Sequence, residues 1–152
     1  MKNAPKLEDF KMEKVKLLKA GGLTVTYDTP YALITNTVPD HPHSDLMEKL
    51  TDLQSFVGEV FSIDKIEKIN PTGIILSGTE ENEAVTITAK IITEAGIDVG
   101  VSTHRIKFDD GAYGNENILK EVCDKLREEV YQYLFKEKRS QLSMFDESEE
   151  DE

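Results

Sequence analysis

Ala84–Thr93 reads AVTITAKIIT, and its alternation decides the fold. Val85, Ile87, Ala89 and Ile91 fall on one side of an extended chain, and Thr86, Thr88 and Lys90 on the other. Successive side chains of a strand point to opposite faces, so the pattern predicts a sheet with one buried and one solvated face. Downstream, Ile97–Phe108 continues it through Val99 and Val101, after a turn at Ala95-Gly96. Upstream, Thr72–Gly78 carries the apolar run Ile74-Ile75-Leu76, and Glu81-Asn82 suits a hairpin turn. These three stretches predict an antiparallel meander.

The N-terminal third has the same character. Phe10–Lys19 (FKMEKVKLLK) alternates apolar and charged residues, although its register blurs near Val15 and Leu17. Ala20-Gly21-Gly22 is a turn signal, Leu23–Asp28 (LTVTYD) has strand composition, and Tyr31–Val38 is a third strand. Two helices complete the order. Leu46, Leu50, Leu53, Val57 and Val60 recur at helical spacing, which predicts a helix over Asp45–Phe61 with Ser44 as its N-cap. Leu119, Val122, Cys123, Leu126, Val130, Tyr133 and Leu134 form the stripe of a second helix over Asn115–Phe135. Asn70-Pro71-Thr72-Gly73 and Asp109-Asp110-Gly111 have turn composition. The expected class is α+β: an antiparallel sheet of about five to six strands with two long helices packed on one face.

The chain has 152 residues, which suits one domain. Its apolar pattern stops after Phe135, so the expected division is a domain at 1–135 and a flexible acidic tail at 136–152. Net charge is −12, and the terminal DESEEDE of Asp146–Glu152 holds six of the 30 acidic residues. Without it the rest has 18 basic and 24 acidic residues, a net of −6. An acidic body argues against strong direct nucleic-acid binding, which needs several cations on phosphates. The lysines near the N-terminus, Lys2, Lys6, Lys11, Lys14, Lys16 and Lys19, are read as guards of an edge strand. One cysteine, Cys123, forms no internal disulfide, and no long apolar run is present. The expected location is the cytoplasm, with no membrane partner.

In the tail, Leu142, Met144 and Phe145 stand out from charged surroundings, after the polar spacer Lys136–Ser140. Apolar residues in such a segment suit a partner's preformed pocket. Gln141-Leu142-Ser143-Met144-Phe145 resembles the clamp-binding peptide of bacterial polymerases and repair proteins, typically Gln-Leu-Ser/Asp-Leu-Phe. The resemblance implies that Gln141 is a polar anchor, that Leu142 makes an apolar contact, and that Met144 and Phe145 plug a hydrophobic pocket. Met144 stands where Leu is commoner, and its adaptable side chain tolerates the change. The motif covers five residues of 152. More broadly, the ending YLFKEKRSQLSMFDE and the order of elements resemble small acidic proteins of bacteriophages and prophages, a group without a defined activity.

No catalytic constellation is legible. His41-Pro42-His43 supplies two ligand-type side chains with Asp40 and Asp45 nearby, but no third ligand at a diagnostic spacing. His104 lies in an expected strand, and Cys123 lies on an apolar helical stripe, where a thiol behaves as a small hydrophobe. The expectation is a non-enzymatic binding protein with no metal or other cofactor. Its partner would be the bacterial DNA sliding clamp, in or on DNA replication and recombination. The alternative is an acidic DNA mimic or defence antagonist that binds a host enzyme through the domain surface.

Overall fold

The alternation at 84–93 sits within a seven-stranded antiparallel sheet of a computed structural model, which describes residues 5–78, 83–108 and 116–139. The strands are β1 (Lys11–Leu17), β2 (Leu23–Asp28), β3 (Leu33–Val38), β4 (Ile69–Ser77), β5 (Ala84–Ile92), β6 (Asp98–Ser102) and β7 (Ile106–Lys107). Between β3 and β4 lie helices α1 (Ser44–Thr51) and α2 (Gln54–Phe61), and α3 (Glu116–Phe135) follows β7. The strand order is β3-β2-β1-β4-β5-β6, with β7 also paired to β5. Two three-stranded meanders, each followed by helix, thus meet along β1 and β4. The class is α+β.

Register divides the sheet into two faces. Directly opposed residues share a face, and Val25, Val15, Ile74 and Ile87 oppose one another in sequence across β2, β1, β4 and β5. All four are at most 1% exposed. On the other face, Thr37, Thr24, Lys16, Gly73, Thr88 and Ser102 form a row across six of the seven strands. A second row runs Thr35, Thr26, Lys14, Ile75, Thr86. Threonine hydroxyls pair across strands on this face, Thr24 with Thr37 at 3.3 Å and Thr26 with Thr35 at 3.0 Å.

Three readings of the sequence change, and a fourth gains detail. The segment around β1 is a central strand, flanked by β2 and β4, so Lys14 and Lys16 guard no edge. Its blurred register is a bulge: Glu13 is an extra residue between Met12 and Lys14. Asn70–Gly73 is not a turn but part of β4. Pro71 cannot donate to the ladder, and the pairing with β5 shifts between Pro71 and Gly73 to absorb it. Gly73 is required there, since a Cβ would stand 2.0 Å from the Val15 carbonyl oxygen. The expected helix over Asp45–Phe61 is present as α1 and α2, joined through a local irregularity at Asp52-Leu53. Leu53 N donates to Leu50 O at 3.0 Å, a tightened turn that seats Leu53 in the core before α2 begins. Asp109-Asp110-Gly111 and Glu81-Asn82 lie outside the described residues.

One apolar cluster joins the buried strand residues to Leu46 and Leu50 of α1, Phe56 and Val57 of α2, and Leu119, Cys123, Leu126 and Val130 of α3. Four rings close one end of it. Tyr131 and Phe135 from α3 meet Phe10 and Tyr27, with centroid separations of 5.1–5.7 Å. Two α3 side chains tie down the start of the chain. Arg127 Nη1 donates to Leu7 O and Phe10 O at 2.9 and 3.0 Å, and the Tyr131 hydroxyl donates to Pro5 O at 2.6 Å. Among the described residues no helix is long and apolar enough to cross a membrane.

The two-faced sheet makes a quantitative expectation. Ile87→Ala removes a fully buried side chain from a packed row and should cost about 2–5 kcal/mol in denaturant unfolding. Thr86→Ala, one residue away on the open face, should change stability by about 0.5 kcal/mol or less.

Candidate partner-binding tail and its anchor

Gln141, Leu142, Ser143, Met144 and Phe145 lie outside the described residues. The structure does describe the point from which they depart. α3 ends at Phe135, and Glu137 adopts a left-handed conformation (φ 55°) that turns the chain. Lys138 N donates back to Gln132 O at 3.1 Å. The folded contacts then continue to Arg139, four residues past the boundary read at Phe135.

Polar groups hold this segment and the end of α3 to the loop between β3 and α1 and to the first turn of α1. Lys138 Nζ sits 2.9 Å from both Asp45 Oδ2 and Glu129 Oε1. Arg139 Nη1 donates to Asp40 Oδ2, its Nε donates to Tyr133 O at 3.0 Å, and its guanidinium stacks 4.7 Å from the centre of the Tyr133 ring. Arg139 and Pro42 form an isolated antiparallel bridge. Tyr133 is fully buried, and its hydroxyl donates to the carbonyl oxygens of Asp40 and, at 3.2 Å, Val38. Burial pushes that phenol up to about 12, so it stays a donor throughout the neutral range.

The histidines expected to flank this loop have local structural contacts. His43, not Ser44, is the N-cap of α1: its Nδ1 accepts from Asp45 N at 3.1 Å. Ser44 is the first helical residue. A ring nitrogen that accepts from N–H carries no proton, so the 3.5 Å approach of the Asp45 carboxylate is not an ion pair in that state. The His41 ring lies over Gly21, where a Cβ would meet it at 2.1 Å, and Gly21 is itself left-handed (φ 107°). His104 is exposed just beyond β6. Among the described residues no three His, Cys, Asp or Glu side chains gather as metal ligands. Cys123 is buried in the core, and burial pushes its thiol up to about 12, away from nucleophilic chemistry.

The sequence reading missed the anchor itself. Asp40 is far in the chain from the other four, and Tyr133, Lys138 and Arg139 fall in the helical stripe and the polar spacer. One signal was available: a buried tyrosine hydroxyl needs a partner, and Tyr133 falls on the inner stripe of α3.

Two outcomes test the anchor. Tyr133→Phe leaves two part-buried carbonyls short of a donor and should cost about 1–2 kcal/mol in thermal or denaturant unfolding. The second concerns pH. The Lys138 hydrogen bond holds the Asp45 carboxyl below its ordinary 3.8, and bonds to Glu129 and Asp45 raise Lys138 above 10.5. A lowered acid contributes stability above its unfolded value and loses it as pH falls through the folded one. A raised base contributes below its unfolded value and loses it as pH rises through the folded one. Amide exchange at 136–139 should therefore be flat at neutral pH and accelerate below about pH 4 and above about pH 10.5, relative to the core. No protein-family model, curated protein or solved structure matches this chain.

Proposed function

We propose that the chain is a non-enzymatic binding protein of phage type that docks on the sliding clamp of its bacterial host through Gln141–Phe145. It acts thereby in or on DNA replication or recombination. The observation that carries the reading is the place of the pentapeptide. QLSMF begins two residues after Arg139, the last described residue held to the body, and is followed by seven residues of which six are acidic. A peptide in that place departs from a fixed end, so the body contributes a stable mount. In the pocket Gln141 makes polar contacts, Leu142 an apolar one, and Met144 and Phe145 supply most of the buried surface, with Ser143 between them.

We also infer that α1, α2 and α3 all lie against the buried face of the sheet. The inference is supported by their apolar residues joining the same cluster as Val15, Val25, Ile74 and Ile87. The opposite face is then open to solvent. The alternative, an acidic mimic of DNA, needs a continuous field of carboxylates. Exposed Lys14, Lys16 and Lys90 on that open face interrupt it.

A peptide covering residues 138–152 should bind a purified bacterial clamp with a Kd near micromolar, about 8 kcal/mol. Phe145→Ala and Leu142→Ala should each cost about 1.5–3 kcal/mol, Gln141→Ala should weaken binding, and Met144→Leu should bind as well or better. Calorimetry or fluorescence polarisation reads the order. Equal binding of the Phe145→Ala peptide, or no binding of the unmodified one at high micromolar clamp, overturns the reading.

A further inference from the structure

We propose that the acidic terminus Asp146–Glu152 docks on the open face of the sheet in its own chain, over Lys14 and Lys16. The face is cationic within an acidic protein. Lys14 and Lys16 project from the central strand β1. Lys90 of β5 and Lys107 of β7 share their face by register, and Arg105 reaches it by donating to Ser77 Oγ at 2.9 Å. The carboxylates in register with this face, Asp28 and Asp98, stand at strand ends, and Glu13 sits in the β1 bulge. Among the described residues no ion pair engages Lys14, Lys16, Lys90 or Lys107. Threonine hydroxyls around the lysines offer further donors to carboxylates.

Two facts select the terminus as occupant. The first is charge: Asp146–Glu152 holds six acids and no base. The second is where the chain leaves the body. Arg139 is fixed to Asp40, two residues beyond the end of the edge strand β3, and Thr37 of β3 begins the row that leads to Lys16. From β3 to β1 is two strand spacings, about 10 Å. The six residues between Arg139 and Asp146 can span about 20 Å when extended. The seven residues of the terminus extend that reach round the edge of β3 to the lysines.

Tethering decides between this occupant and an outside polyanion. A few lysines with carboxylates close by bind a free nucleic acid weakly at physiological salt, and a net charge of −12 repels it. The same lysines meet a tethered segment at an effective concentration in the millimolar range. The described residues of the two central rows include no aromatic side chain on which a base could stack. The proposal does not depend on clamp binding.

The test uses the full chain carrying Ser148→Cys with a nitroxide label. Cys123 is buried, so the introduced thiol is the one modified. At low salt, amide signals of Lys14, Lys16, Thr24 and Thr35 should broaden several-fold more than those of α3. The broadening should vanish in about 1 M NaCl, where the screening length falls to about 3 Å. It should also vanish in the Lys14→Glu, Lys16→Glu variant. Independently, the unlabelled chain truncated after Phe145 should show shift changes at the same residues. Broadening that is uniform, centred on α3 or indifferent to salt overturns the proposal. So does equal, face-directed binding of a thymidine oligonucleotide by intact and truncated chains at physiological salt, which would make the face a nucleic-acid surface.

Discussion

The fold depends on one apolar row. Val25, Val15, Ile74 and Ile87 cross four strands of both meanders and are excluded from water together. A one-residue slip in any of these strands would turn its apolar set outward, so the row fixes register as well as stability. It also joins the two halves, because β1 and β4 are the strands that meet at the centre. The bulge at Glu13 and the shift beside Pro71 are adjustments that keep the row aligned where the sequence would otherwise break it.

The far end of α3 shows a second level of organisation. The aromatic cluster packs α3 on Phe10 and Tyr27, the Tyr133 hydroxyl brings the helix end to the exit of β3, and Lys138 and Arg139 then extend the attachment in polar form. The ion pairs are partly exposed and each contributes little alone. Their value lies in direction. They set where the chain leaves the body, with the buried phenol providing the firm point beneath them.

The sheet was legible because burial on one face leaves a period of two in the sequence, as at Ala84–Thr93, and α3 because its stripe is long and uninterrupted. The order of strands was not legible. Nothing in Phe10–Lys19 distinguishes a central strand with one open face from an edge strand, since both expose lysines on alternate positions. Pro71 misled for a related reason: local composition signals a turn, whereas the bulge that accommodates it arises from pairing with β5. The tightened turn at Leu53 was hidden because its apolar side chain fits the helical stripe with or without it. The anchor could not be read at all as a unit, as Asp40 and Arg139 are 99 residues apart and only the fold makes them neighbours. The pentapeptide, in contrast, is contiguous, and a contiguous motif needs no fold to be seen.

The cluster of Phe10, Tyr27, Tyr131 and Phe135 has a spectroscopic consequence. The chain contains no tryptophan, so its near-ultraviolet absorption and emission come from tyrosine and phenylalanine. Among the described tyrosines, Tyr27 and Tyr131 sit in the cluster, Tyr133 is buried with its hydroxyl on the carbonyls of Val38 and Asp40, and Tyr31 is 96% exposed on the β2–β3 turn. Near-ultraviolet circular dichroism, which requires rings held in asymmetric surroundings, therefore reports on the junction of α3 with the first two strands more than on the sheet as a whole. The near ultraviolet is thus the probe of that junction, as the far ultraviolet is of the backbone of the sheet and helices.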